Sequence, residues 1–213
     1  MVMQNKEEAY KLLSSDAHKT YYDKWAKNYD KEFVREQKYE YPFKIAKVLT
    51  SLDASAYSPI ADIGCGTGVL GEVLKELNLD IDGFDISTGM LIEAEKKKVY
   101  RNLIECDITD EAQVPISEYK CIISSGTFTI GHLGPEYLSV VIRMLKNGGL
   151  GIIGINKKHF LEANFGNEVR LLEQRGKISQ VKIIDEAIYT LDGRSDLSTI
   201  PTSNVASILT FNT

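Results

Sequence analysis

Apolar residues recur along the chain in two rhythms. Up to about position 55 they fall at helical spacing. Tyr21, Tyr22, Trp25 and Tyr29 form one stripe, and Phe43, Ala46, Leu49 and Leu52 form another behind Pro42, a residue suited to a first helical turn. From Pro59 onward, short continuous apolar runs alternate with amphipathic stretches. Runs at 60–63, 81–86, 102–106, 119–125 and 150–155 predict five buried strands. Helices are expected between them. One covers 69–77, with Leu70, Val73, Leu74 and Leu77 inward. Another is capped by Ser87 or Thr88 and carries Met90, Leu91 and Ala94. A third opens at Pro135, turns Leu138, Val141, Ile142 and Leu145 inward, and stops at Asn147-Gly148-Gly149. A polar helix is expected over about 160–175.

Strands alternating with helices predict an α/β fold with a parallel sheet covered by helices on both faces. The tail differs. Segments 180–189 and 205–211 are strand-like, and the Gly/Asp/Ser/Pro-rich loop between them has no helical pattern, so they predict an antiparallel pair. A chain of 213 residues suits a single domain, 1–213, with an N-terminal helical extension over 1–55 and an α/β core over 56–213.

Composition narrows the function classes. Hydrophobic residues make up 43% and charged residues 26%, ordinary for a soluble globular protein, and the net charge of -5 does not favour nucleic acid. The N-terminus has no apolar core of a signal peptide, and no run is long enough to span a membrane. Cys65, Cys106 and Cys121 lie far apart without a Cys-x-x-Cys, and His18, His132 and His159 are scattered. Neither a disulfide framework nor a metal site is expected, and a reducing cytoplasm is the simplest location. Glu93-Ala-Glu-Lys-Lys-Lys98 reads as a solvated helix end with cations suited to a C-terminus.

The chemistry concentrates at Asp62-Ile-Gly64-Cys-Gly66-Thr-Gly68, between a predicted strand and a predicted helix. Glycines there let the backbone turn sharply and approach a ligand without a Cβ in the way. The dinucleotide pattern G-x-G-x-x-G is not met, because the third glycine comes one residue early, at Gly68. Asp62 ahead of the loop would also repel a pyrophosphate. An adenosine with a cationic amino-acid arm fits better. Asp85 ends the second strand about twenty residues further on, where a carboxylate can accept both ribose hydroxyls. Asp107 follows the third strand, within reach of an adenine amine. Ser124-Ser125-Gly126 ends the fourth, where the strand order switches and ligand sites open.

Asp-Ile-Gly-Cys-Gly-Thr-Gly, Gly-Phe-Asp-Ile-Ser-Thr-Gly-Met-Leu and Leu-Lys-Asn-Gly-Gly-Leu stand here in the order and spacing of the class I S-adenosylmethionine-dependent methyltransferases, which the chain resembles over residues 21–156. Within that class, residues 22–30 and 124–132 are similar to the small Williams–Beuren-region methyltransferase group. Asn147 stands where many of that class have proline. The resemblance implies a Rossmann-like seven-stranded sheet, mostly parallel, with an antiparallel last strand. It implies S-adenosyl-L-methionine as cofactor and S-adenosyl-L-homocysteine as product. It also implies roles. Gly64, Cys65, Gly66 and Gly68 would pass under the methionine and ribose, with Asp62 near the methionine amino group. Asp85 would hold the ribose, and Ile86 and Met90 would line the adenine. Asp107 and Ile108 would bind the adenine edge, Ser124 and Ser125 the methionine arm. Tyr21, Trp25 and Tyr29 become candidate lid residues, though an aromatic stripe also reads as a core-facing helix surface.

The expected activity is methyl transfer to a small molecule, the acceptor being unspecified. The protein then has to hold the acceptor in line with the S–CH₃ bond and exclude water. Thr127 and His132 are the acceptor-side candidates. His132 is the best-placed base, although a lone histidine in a Gly-rich loop reads first as a surface or structural residue. The loop after strand four lacks the Asp/Asn-Pro-Pro-aromatic of DNA amino-methyltransferases, which argues against a base amine as acceptor. The alternative is a non-catalytic cofactor-binding or scaffold protein; a dinucleotide oxidoreductase ranks below both because of the glycine spacing.

Overall fold

Apolar runs flanked by amphipathic helices bury both faces of the strands they form, and the five runs become five parallel strands. The protein is described here by a computed structural model covering residues 5–12, 14–190 and 196–213. A short α1 (Lys6–Ala9) precedes α2 (Ser15–Tyr29), which continues through a π-helical turn at Asp30–Arg35, and then α3 (Tyr41–Thr50). The core follows as β1 (Ile60–Ile63), α4 (Val69–Leu74), β2 (Ile81–Asp85), α5 (Thr88–Glu95), β3 (Asn102–Glu105), β4 (Tyr119–Phe128), α6 (Tyr137–Ile142) and β5 (Leu145–Asn156). It closes with α7 (Lys157–Glu162), α8 (Phe165–Gln174), β6 (Ser179–Ala187) and β7 (Val205–Asn212).

The seven strands form one sheet in the order β3-β2-β1-β4-β5-β7-β6. β7 runs antiparallel to both β5 and β6, so the expected tail pair and reversed last strand are present. Side chains alternate across the strands into two cores. Ala61, Ile63, Ile122, Ile153 and Phe211 pack under α6 and α8, whereas Ile60, Cys121, Ile123, Ile152 and Ile208 pack under the N-terminal helices and α4. Each fully buried aliphatic side chain contributes on the order of 2 kcal/mol.

Four local expectations are corrected. α6 ends at Ile142, and Leu145 pairs with Tyr119 as the first residue of β5 rather than facing inward from the helix. Residues 146–149 bulge from that strand, because the next partner pair is Cys121 with Leu150, and Gly148 at φ +76 donates to the Thr213 carbonyl. The helix expected over 160–175 is two, broken at Asn164 in the left-handed region. In α3 the buried face is Pro42, Ile45, Ala46 and Leu49, with Phe43 and Leu52 exposed. In α4, Leu70 and Leu74 are buried and Leu77 is exposed.

The N-terminal segment is seated on the sheet and its loops. The position a Cβ would take on Gly154 lies 2.5 Å from the Tyr41 hydroxyl, and on Gly126 2.7 Å from that of Tyr39. On Gly131 it lies 2.7 Å from the Tyr10 carbonyl oxygen, and on Gly89 2.8 Å from the Asp23 Cα. Polar ties reinforce the seat. Asp23 Oδ1 accepts from the Gly89 N–H (2.8 Å) and the Ser87 hydroxyl (2.7 Å) at the start of α5. Lys19 donates to the Ile86 carbonyl (3.1 Å) and to Glu105 (2.7 Å). Among the described residues no helix is long and apolar enough to cross a membrane, and no group of His, Cys, Asp and Glu could hold a metal ion.

Candidate functional site

The chain leaves β1 through Gly64, at φ +66, where a Cβ would stand 1.9 Å from the Thr127 hydroxyl oxygen; only glycine fits. Gly66 follows at φ +54 with nothing within 4 Å of its Cβ position. The loop therefore turns bare backbone to open space. Its far end, Gly68, precedes α4 and packs on Tyr100 and Ala94. Asp85, at the tip of β2, spans the loop and the start of α5. One carboxylate oxygen accepts from the Gly66 N–H (2.8 Å) and the other from the Ser87 N–H (2.9 Å). Each oxygen keeps a second lone pair. Burial pushes the Asp85 carboxyl up to about 6, against the opposing pull of those two hydrogen bonds.

A cavity of about 580 Å³ opens over the strand tips, within the range of small-molecule sites. Of the candidate residues, Trp25, Tyr29, Gly64, Gly66, Asp85, Ile86, Met90, Asp107, Ile108, Ser125, Thr127 and His132 line it. Asp107 Oδ1 accepts from the backbone and hydroxyl of Thr109, at 2.9 and 2.7 Å.

Five candidates stand behind the lining. Asp62 is fully buried and accepts from the Tyr100 hydroxyl at 2.8 Å; burial raises its carboxyl to about 7, with Asp85 adding to the rise. Ser124 donates to the Ile63 carbonyl (2.8 Å) and braces β1 against β4. Cys65 is buried, its N–H bound to the Phe84 carbonyl, and burial pushes its thiol up. Gly68 sits at the start of α4. Tyr21 turns away to the Asn5 carbonyl (2.8 Å).

His132 is half-buried in the cavity wall. Its Nδ1 lies 3.1 Å from the Ile130 carbonyl, which can only accept, so that nitrogen carries the proton. Nε2 then accepts from the Tyr22 hydroxyl at 2.9 Å. Burial, with His18 second, pushes the imidazole down to about 4, so it is neutral at pH 7. The wall also holds residues the sequence reading did not single out as a site: Tyr10, His18, Tyr39, Tyr41, Thr129 and Tyr189. His18 and His132 are 114 positions apart in the chain, yet their ring centroids are 4.4 Å apart. Nothing in a one-dimensional pattern signals that pairing.

Residues 60–149 match the family model of a methyltransferase domain. Those residues hold the glycine loop and the Asp85 and Asp107 strand ends, so the stretch that is similar to the methyltransferase-domain family is the one that builds the site. It is 31% identical over 149 residues to a ubiquinone biosynthesis O-methyltransferase of Ruegeria sp. (strain TM1040), covering 65% of this chain and 53% of that protein. It is 30% identical over 150 residues to a malonyl-[acyl-carrier protein] O-methyltransferase of Acetivibrio thermocellus, covering 67% and 50%. The chain thus spans about half the length of these curated relatives. Its fold is that of the magnesium protoporphyrin IX methyltransferase of Synechocystis PCC 6803 with bound SAM, at TM-score 0.65, 17% identity and coverage of 95% and 98%. It is also that of a possible histamine N-methyltransferase of Thermotoga maritima, at TM-score 0.60, 17% identity and coverage of 90% and 97%.

S-adenosylmethionine fits the residues present. The glycine cradle admits a ligand against main chain, the spare lone pairs of Asp85 suit a ribose diol, and carboxylates at the β2 and β3 ends suit a ligand bearing cationic groups.

Proposed function

We propose that this protein transfers a methyl group from S-adenosylmethionine to a small-molecule acceptor. The observation that carries this is the Gly64–Gly66 main chain and the Asp85 carboxylate converging on one cavity beneath the N-terminal helices. When bound, the cofactor supplies an activated methyl on a sulfonium sulfur. In this reading Asp85 takes the ribose, Ile86 and Met90 flank the adenine, and Asp107 and Ile108 meet its edge. Ser125 and the glycine backbone receive the methionine arm. Trp25 and Tyr29 close over it, excluding water. Thr127 and His132 stand on the acceptor side. Asp62, Cys65, Gly68 and Ser124 shape the loop from behind, and Tyr21 anchors the lid.

The chain is read as one domain, with 1–55 as lid and 56–213 as core. Residues 22–30 and 124–132 support a place near the small Williams–Beuren-region group. Three free buried thiols support a reducing, cytoplasmic setting. Of the two curated relatives, one is named for ubiquinone biosynthesis and the other for a malonyl-[acyl-carrier protein]. The size of the cavity, about 580 Å³, is what favours a small acceptor here.

The test is calorimetric titration with S-adenosylhomocysteine. Binding at one site is expected, and Asp85→Ala is expected to weaken it at least about tenfold, the scale of lost hydrogen bonds to a charged group. Equal affinity in the variant would place the ribose elsewhere.

A further inference from the structure

Two buried side-chain polar atoms among the described residues have no hydrogen-bond partner, His18 Nε2 and the Tyr41 hydroxyl. Both residues line the cavity. An orphaned buried polar atom costs stability and calls for a reason. His18 Nδ1 lies 2.9 Å from the Ser14 carbonyl and so carries a proton; in the neutral ring Nε2 is a lone pair awaiting a donor. The Tyr41 hydroxyl carries a proton awaiting an acceptor. Burial holds that phenol well above its usual range, in its protonated form.

The acids of the wall follow β2 and β3, as Asp85 and Asp107, and open α6 after β4, as Glu136. The lining's one Lys or Arg among the described residues is Lys6, at the opposite edge. Its ammonium donates to the Tyr189 hydroxyl (3.0 Å), just beyond β6, and sits 4.6 Å above that ring. Between these ends the surfaces are flat rings: Tyr10, Tyr22, Tyr39 and Tyr41. Flat walls favour a planar ligand. A cationic ligand would meet Lys6, which already occupies an aromatic face. A protonated amine would also satisfy His18 but leave Tyr41 without an acceptor, whereas hydroxyl oxygen both donates and accepts.

Resting on the methyltransferase reading, we propose that the cavity beyond the ends of β4 and β5 receives a neutral or anionic aromatic hydroxyl compound, held by its O–H at His18 Nε2. His18 is then a specificity-determining residue, and Lys6 sets the charge preference.

The test loads the full chain with S-adenosylhomocysteine and titrates four probes by calorimetry: 4-hydroxyphenylacetate, p-cresol, tyramine and phenylacetate. The first two are expected to bind at least about tenfold more tightly than tyramine, and 4-hydroxyphenylacetate more tightly than phenylacetate by a similar factor. His18→Phe should abolish the preference for the hydroxylated over the plain acid, and His18→Gln, which keeps an acceptor oxygen, should restore part of it. Lys6→Gln should remove the advantage of the anion over p-cresol. Tyramine binding as well as the anion, an unchanged preference in a folded His18→Phe protein, or no probe binding to protein that holds S-adenosylhomocysteine would each overturn the proposal. Failure to bind S-adenosylhomocysteine at all would instead overturn the methyltransferase reading.

Discussion

Asp85 is a charged group held where charge is costly. Its two backbone hydrogen bonds do not offset burial, and the carboxyl is pushed up to about 6. Ribose hydroxyls donating to it would favour the ionised form and lower that value in the complex. Affinity for S-adenosylhomocysteine should therefore be complete well above pH 6 and fall as pH drops through 6, by at most about tenfold per unit. Titrations between pH 5 and 8 check this, and the slope should vanish in Asp85→Ala. Its place was legible because a strand-end carboxylate at that offset from a glycine loop is a local pattern. The partner of Asp62 was not, since Tyr100 lies 38 positions away and meets it only after β1 and β2 pair. The same holds for His18, whose neighbour His132 arrives from the loop after β4.

At the scale of elements, α2 does more than cover a core. Its Asp23 serves as an acceptor for the start of α5, which also receives its own cap from Ser87 (Met90 N–H, 3.1 Å). α2 is thereby tied to the end of β2, which carries Asp85 and Ile86. Removing the tie should cost about 1 kcal/mol, the usual worth of such a cap, and loosen α2 before the core. In Asp23→Ala, hydrogen exchange should speed up across 15–29 while the β1 and β4 amides stay protected, and S-adenosylhomocysteine should dissociate faster. Equal exchange in α2 would mean that aromatic packing alone holds it down. The stripe of Tyr22, Trp25 and Tyr29 was readable as a helix face. That the face belongs both to a core and to a cavity wall shows why the two sequence readings could not be separated: the same rings do both. The α6–β5 boundary was misread because Leu145 suits a helix face as well as a strand, and pairing with Tyr119 decided for the strand.

Across the whole molecule, the reversed β7 inserts between β5 and β6 and presses Phe211 against β5. The Cβ position of Gly151 on β5 lies 2.2 Å from the Phe211 ring. Gly151→Val should overpack this contact and destabilise the protein by about 1–3 kcal/mol, seen as a lower urea midpoint with an unchanged slope. A shift near zero would show that the β5–β7 seam can open to accept the side chain. The glycine loop and Asp85, which follow β1 and β2, should keep their cofactor affinity once the protein is folded.

What the sequence settled by itself was whatever is encoded over short stretches. Buried parallel strands are continuous apolar runs, a glycine loop needs its glycines at fixed spacing, and a carboxylate at a strand end keeps that place however the helices pack. Only the tertiary structure decided which residues share the cavity. Tyr10, His18, Tyr41, Thr129, His132 and Tyr189 come from segments far apart in the chain. Their meeting depends on helix seating and strand order, and no local periodicity encodes either one.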